Sequence, residues 1–389
     1  MECVRISWVR RMTVQNLHPE TAELLRRIFI DDDLSWPDGN KLSGKVFLKE
    51  IGSQGMVPLL YRRIAKNKSS SGWPAGLLSS LRETAMQQSA FELLLKADLC
   101  KVLDSLAGID IQPLLLKGTP LSHTIYPAPG LRPRRDTDLL IPASAKEQVA
   151  ALMEQLGYKG LYEVPADYIN SQMSYSRQGK FGFSFSYDIH WQVSNNNRIF
   201  SQKFADTRLF TNAVSISELG ENAKTLNNVD ALILSCFHRA GHFSHSGDLL
   251  IWLYDIHLLC QTLTEEQVPF FYDKSRDLEI VFLCSDAIAT AKSWFDTVVP
   301  KTLNLLLQDT AHEPSRLYLQ PGRLDGIKNH ALLELKSLAT WQERILFLLQ
   351  NAFPPTAFML WRYGKKQKTS LPWLYLKRFV EGVYAFLRK

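Results

Sequence analysis

Asp136 and Asp138 stand one residue apart in the run Arg-Arg-Asp-Thr-Asp-Leu-Leu-Ile-Pro, residues 134–142. On an extended strand, residues i and i+2 share a face, so both carboxyls can reach one cation pair while Thr137 and Leu139 point away. A third carboxylate, Asp188, lies where Phe183, Phe185, Tyr187, Ile189, Trp191 and Val193 alternate with Ser184, Ser186, Asp188, His190 and Gln192. That alternation predicts a strand over 183–193 with one buried face and one polar, working face. Acids on two strands can hold a pair of divalent cations for phosphoryl transfer, a reaction that needs charge neutralisation and alignment more than covalent chemistry. Magnesium, with manganese as the alternative, suits oxygen donors. Asp136, Asp138 and Asp188 are therefore the expected metal-binding and catalytic residues, with Asp188 also placed to help deprotonate an attacking hydroxyl. His190 shares the Asp188 face and is expected to orient an acceptor.

Upstream, an apolar strand at Leu114–Leu116 runs into Lys117 and Gly118, and Thr119-Pro120 reads as the N-cap and first position of a helix. Free N–H groups at a helix start attract phosphate. Gly118 would let the chain turn tightly and let a triphosphate approach the backbone, while the Thr119 hydroxyl donates to a phosphate oxygen. Lys117, Arg132, Arg134 and Arg135 crowd the same neighbourhood with positive charge; Lys117, Gly118, Thr119, Arg132 and Arg135 are the nucleotide-binding candidates. A lone Asp-x-Asp is common on solvated loops, so the weight rests on this surrounding pattern.

These residues need a frame. Residues 1–107 read as an N-terminal helical region: short helices between Pro19 and Asn67, then one long helix from Pro74 to Leu106. Residues 108–216 read as a mixed α/β core with strands at 113–116, 137–141 and 183–193 and a helix at 144–156 closed by Gly157. Residues 217–389 read as a C-terminal helical region, with helices near 229–243, 248–263, 265–294 and 330–353, and a last one from Pro372 after a polar linker at 365–370. The expected fold class is α+β, or mixed α/β: a small mixed sheet with helices, flanked by helical regions on both sides.

The run Leu114 to Pro142, with Lys117-Gly118, Tyr126, Gly130, Leu131, Arg132 and Asp136-Thr-Asp138, followed by Gly157-Tyr158 and Asp188-Ile-His190-Trp191, resembles the bacterial "uncharacterised nucleotidyltransferase" family of the polymerase-beta-like nucleotidyltransferase superfamily. The likeness extends from the segment at Gln54–Tyr61 to the region of His238–Leu259 with Trp252 and Asp255. It implies a nucleotidyltransferase-type mixed sheet. The implied activity is a magnesium-dependent transfer of a nucleoside monophosphate from an NTP to an unidentified hydroxyl or phosphate acceptor, with pyrophosphate released. Two features depart from the superfamily pattern: Thr119 follows Gly118 in place of Ser or Gly, and the gap of 18 positions from Gly118 to Asp136 is long. The long gap resembles toxin-type members that modify tRNA.

The remaining features bound the reading. A chain of 389 residues with 46% apolar content can bury a large core, and a net charge of +6 suits an anionic substrate without the density of a dedicated nucleic-acid binder. Five cysteines without a Cys-x-x-Cys pair fit a reducing cytoplasm, and no stretch has the length of a signal peptide core or an uncharged membrane span. Met12 is a second candidate start. His238, His242 and His245 lack the Glu of a zincin motif and read as structural or cleft histidines. Asp255, inside an apolar helix, calls for a basic partner. Eight Lys or Arg residues after Trp361, interleaved with Trp373, Tyr375 and Phe379, could hold RNA, although a helix with its aromatic side packed on the body is the simpler reading. The rival function is a non-catalytic nucleotide-binding regulatory protein.

Overall fold

The computed structural model describes residues 17–37, 42–67, 72–160, 171–179, 182–194, 198–205, 208–307, 313–319, 335, 340–364 and 371–387. The linker at 365–370, the first eleven residues and most of the 330–353 helix before 340 lie outside the described residues.

Three short helices, α1 (Pro19–Ile30), α2 (Gly44–Ser53) and α3 (Val57–Asn67), precede a single 33-residue helix, α4 (Ala75–Ala107). No glycine or proline interrupts α4 beyond its first turn, which is why so long a helix persists. Seven strands follow: β1 (Leu114–Leu116), β2 (Thr137–Leu140), β3 (Lys159–Gly160), β4 (Gln172–Gln178), β5 (Ser184–His190), β6 (Val214–Ser215) and β7 (Lys224–Thr225). Their order in one mixed sheet is β3-β4-β5-β2-β1-β7-β6. The centre of the sheet carries the chemistry: β2 pairs antiparallel with β1 and parallel with β5. Between strands lie α5 (Gly118–Thr124), α6 (Lys146–Gln155) and α7 (Arg198–Ala205); after them come α8 (Asn228–Ser246), α9 (Leu250–Thr262), α10 (Val268–Asp277), α11 (Val281–Phe295) and α12 (Lys301–Leu306).

Period-2 alternation divides the sheet between two cores. Leu115, Leu139, Tyr187 and Ile189 pack on one side with Leu99, Val102 and Leu106 of α4 and with Val149 and Met153 of α6. Beneath them Asp98 accepts hydrogen bonds from Tyr187 (2.9 Å), Tyr158 and Arg177. Gly157, at φ +82°, ends α6 as expected, with Gly157 N–H donating to Glu154 and Tyr158 N–H to Met153. On the opposite side Leu114, Leu116 and Leu140 join a core built jointly from α1–α3 and from α8, α9 and α11. Asp138, Asp188 and His190 belong to this second side, so the flanking helices of both ends roof the working face.

The expected strand over 183–193 is shorter in the structure, and its ends show why. Phe183 is exposed and stacks on Phe91 of α4 at 5.0 Å, while Val193 turns into the core on the working side, so the alternation breaks at both limits. At the far end of the chain, helices at Trp341–Ala352, Thr356–Arg362 and Leu371–Leu387 follow the body. Trp373 and Phe379 do not pack on it as expected: they are exposed, while Leu374 is buried and the half-buried Tyr375 donates its hydroxyl to the Pro354 carbonyl at 2.6 Å. No helix among the described residues is long and apolar enough to cross a membrane.

Polar contacts lock the helical roof. The Gln54 side chain accepts from Leu250 N–H at 3.0 Å and its carbonyl from Ile251 N–H at 3.2 Å, satisfying orphan donors at the start of α9. Arg239 of α8 is fully buried and makes a two-pronged pair with Asp248 (2.6 and 2.8 Å), with a third bond to Asp286 of α11 at 2.6 Å. Arg239→Ala would leave Asp248 buried without its cation, so we expect a loss of roughly 3–5 kcal/mol in urea unfolding; an unchanged midpoint would mean that this staple is not needed.

Candidate active site

The register of β2 and β5 places Asp138 directly opposite Asp188 and Leu140 opposite His190. In a parallel pair, residues opposite each other share a face, so two acids and an imidazole converge from two adjacent strands. Ligand atoms of Asp138, Asp188 and His190 all lie within 4.8 Å of one another, the single such group of metal-binding side chains among the described residues. Asp136 sits just ahead of β2 on the wall of the same cavity.

The cluster is strongly coupled. Lys117 Nζ lies 2.5 Å from Asp138 Oδ1, and His190 Nε2 approaches the same oxygen at 2.8 Å. Burial alone would raise the Asp138 carboxyl, but Lys117 and His190 overcome it and hold Asp138 well below the usual carboxylate range. Burial likewise opposes charge on Lys117, and Asp138, with Asp136 and Asp188 behind it, more than offsets that and raises the ammonium. Asp136 has no such partner: partial burial, then the Asp138 and Asp188 charges, push its carboxyl up to about 6. Asp188 is steered from β4, where Ser174 Oγ donates to it at 2.5 Å and Gln172 Nε2 at 3.1 Å.

This donor set fits a divalent cation. Two carboxylates and an imidazole have ligand atoms within 4.8 Å of one another, a third carboxyl is held at raised pKa by burial and by the two neighbouring acids, and His190 Nδ1 is buried without a hydrogen-bond partner. Carboxylates suit magnesium or manganese, and the imidazole extends the range toward softer ions.

The basic residues divide in a way that spacing alone did not reveal. Arg132 points away from the acids into a buried pair with Asp255 of α9, Nε to Oδ1 at 3.2 Å and Nη2 to Oδ2 at 2.6 Å, with Tyr126 donating to the same carboxylate at 2.7 Å. Arg134 is equally buried and clasps Glu92 of α4 at 3.0 and 2.9 Å. Arg135 is exposed on the cavity wall, where Lys117, Gly118 and the edge of Arg132 also lie.

Thr119 is not brought to that wall: it is 2% exposed, and its hydroxyl accepts from Arg134 at 3.3 Å. The helix begins two residues earlier than the Thr119-Pro120 pattern suggests, with Lys117 at the N-cap position and Gly118 as its first residue. Lys117 adopts φ 57°, a conformation costly for a side-chain-bearing residue, and thereby turns its ammonium back onto β2. Gly118 is needed for close packing, since a Cβ there would lie 2.0 Å from Arg132 Nη1.

A cavity of about 960 Å³ opens over the cluster, lined from the sheet, from the α2–α3 turn and from α8 and α9. His238 and His242 line it beside Trp252; the side chain of His245 lies outside the described residues. Sequence reasoning missed β4 and with it Gln172 and Ser174. Their alternation with Met173 and Tyr175 was a period-2 signal, cut short by Arg177 where the next apolar residue would fall.

A mixed sheet that presents acids from neighbouring strands to a roofed cavity is a nucleotidyltransferase-type fold. The chain belongs to the family described as uncharacterised nucleotidyltransferase, whose match spans residues 43–296. No curated protein matches it.

The raised Asp136 carboxyl gives a pH test. Its folded pKa lies above the ordinary value of 3.8, so the folded state binds the proton more tightly and cation-free stability falls as pH rises from about 4 to 6. Asp136→Asn is expected to stabilise the cation-free protein at pH 7.5 by about 1 kcal/mol, after allowing for solvent screening of a partly exposed group, and to have no effect at pH 3.5. Thermal unfolding in chelator at both pH values checks the sign; a gain at low pH alone would contradict it.

Proposed function

We propose that the protein transfers a nucleoside monophosphate from an NTP to an unidentified hydroxyl or phosphate acceptor. The observation that carries this reading is the in-register pairing of Asp138 with Asp188 beside His190, under a cavity. Asp136, Asp138 and Asp188 hold the cations. Bound there, two magnesium ions would neutralise the triphosphate and align it for in-line displacement. The acceptor oxygen bonds to the α-phosphorus, the α–β phosphoanhydride bond breaks, and pyrophosphate leaves.

Each protein group has a part. Lys117 and Arg135, on the wall of the cavity, meet phosphate oxygens, and Gly118 keeps the turn between them and Arg132 close. Arg132 fixes the loop ahead of Asp136 through Asp255. Asp188, oriented by Gln172 and Ser174, takes the acceptor proton when the acceptor is a hydroxyl, and His190 orients that acceptor.

Asp138→Asn preserves shape and removes the central ligand charge. It is expected to cut transfer of α-labelled nucleotide by about a thousandfold or more, equivalent to roughly 4 kcal/mol of transition-state stabilisation; because the change also strands the Lys117 ammonium, transfer is compared well below the variant's own, lowered unfolding midpoint. Transfer at the wild-type rate in that variant would refute the assignment. Nucleotide binding by the wild type without pyrophosphate release against a broad acceptor panel would instead favour the non-catalytic regulator, and co-purified RNA would favour a tRNA acceptor.

A further inference from the structure

The cavity extends past the acids to a wall of three rings. His238 and His242 stand one turn apart on α8 and Trp252 on α9, with ring centroids 4.6 Å apart for the two histidines and 5.1 and 5.2 Å from each to the indole. All three line the cavity that holds Asp138 and Asp188, as do Gly55 of the α2–α3 turn and Val57 and Pro58 at the start of α3. His238 and Trp252 also border a small adjoining recess that Lys117 shares, together with Leu116, Leu121 and Leu234.

The chemistry of this wall differs from that of the acid cluster. Burial holds the His238 imidazole well below its ordinary pKa, and the charges of Lys117 and His242 add to that, so the ring is neutral at physiological pH. No carboxylate joins these rings in a metal-binding group among the described residues. A neutral imidazole offers one donor and one acceptor, and an indole offers a π-face with a single N–H. Ring faces rather than a cluster of cations make up this wall, and they match a flat, uncharged, heteroaromatic ring whose edge carries both donors and acceptors.

We propose that His238, His242 and Trp252 form the nucleobase subsite of this protein. The inference rests on the nucleotidyl-transfer reading, in which the nucleotide is the one substrate required to carry such a ring; an acceptor has no such requirement. The cavity, at about 960 Å³, is at the upper end of the range of roughly 300–1,000 Å³ for small-molecule sites, so a nucleotide seated on this wall still leaves space near Asp188 for a second molecule.

Calorimetric titration of the full-length protein in manganese, with α,β-methylene ATP and GTP and separately with inorganic tripolyphosphate, tests it. The wild type should bind at least one nucleotide analogue more tightly than tripolyphosphate. Trp252→Ala should weaken the analogue by about tenfold or more, the scale of one lost base–aromatic stack, while tripolyphosphate affinity stays within about twofold. His238→Ala should act in the same direction and change the ATP-to-GTP preference. Trp252→Phe keeps a stacking face and should stay close to wild type, which guards against misfolding of the smaller variant. Unchanged nucleotide affinity in Trp252→Ala and His238→Ala, or equal loss of nucleotide and tripolyphosphate, overturns the subsite. Failure of the wild type to bind any nucleotide analogue overturns the nucleotidyl-transfer reading as well.

Discussion

Two buried guanidinium–carboxylate pairs fix the approach to the acids, and the remainder of the site depends on them. Arg132 reaches Asp255 on α9 and Arg134 reaches Glu92 on α4, each through two nitrogen–oxygen contacts. The loop 132–135 is thus clamped between a helix from before the sheet and one from after it, and Asp136 and Asp138 emerge from the clamp with little freedom. Buried pairs of this kind add little net stability, because desolvating both charges offsets most of their attraction. Their effect is geometric. A break in either pair strands a charge in the interior, so the loop has one low-energy arrangement.

The same clamp explains how much was legible in the sequence. The alternation in 184–190, the Asp-x-Asp on β2 and the glycine closing α6 were all visible because each depends on local spacing. The partners of the arginines were not visible, since 123 positions separate Arg132 from Asp255 and 42 separate Arg134 from Glu92. Spacing put basic residues in the neighbourhood of the acids and could not say which of them faced inward. Thr119 shows the same limit: its hydroxyl suits a phosphate contact in the abstract, but Arg134 lies within hydrogen-bonding distance first. The two-residue strands β3, β6 and β7 are too short for any periodicity to register.

The flanking helices were readable as helices, and their purpose emerges only from packing. A three-residue β1 and a four-residue β2 cannot bury two faces by themselves. Helices α4 and α6 cover one side, and a joint core of N-terminal and C-terminal helices covers the other, leaving a gap over Asp138, Asp188 and His190. The cavity is therefore the place where the roof fails to close, and its walls are held by contacts such as Gln54 on the start of α9 rather than by the sheet.

Of the four basic side chains near the acids, two are neutralised by buried carboxylates, which leaves Lys117 and Arg135 facing three aspartates. In the proposed reaction an incoming triphosphate would bring several further negative charges into this partly enclosed space, where Coulomb repulsion is weakly screened. Two protein cations cannot offset that load, and Lys117 is already engaged by Asp138. The carboxyl of Asp136, raised by burial and then by the Asp138 and Asp188 charges, agrees with that imbalance in the cation-free protein. On the proposed reading a nucleotide would therefore enter this site together with divalent cations, with the polypeptide supplying the ligands and alignment and the ions most of the positive charge.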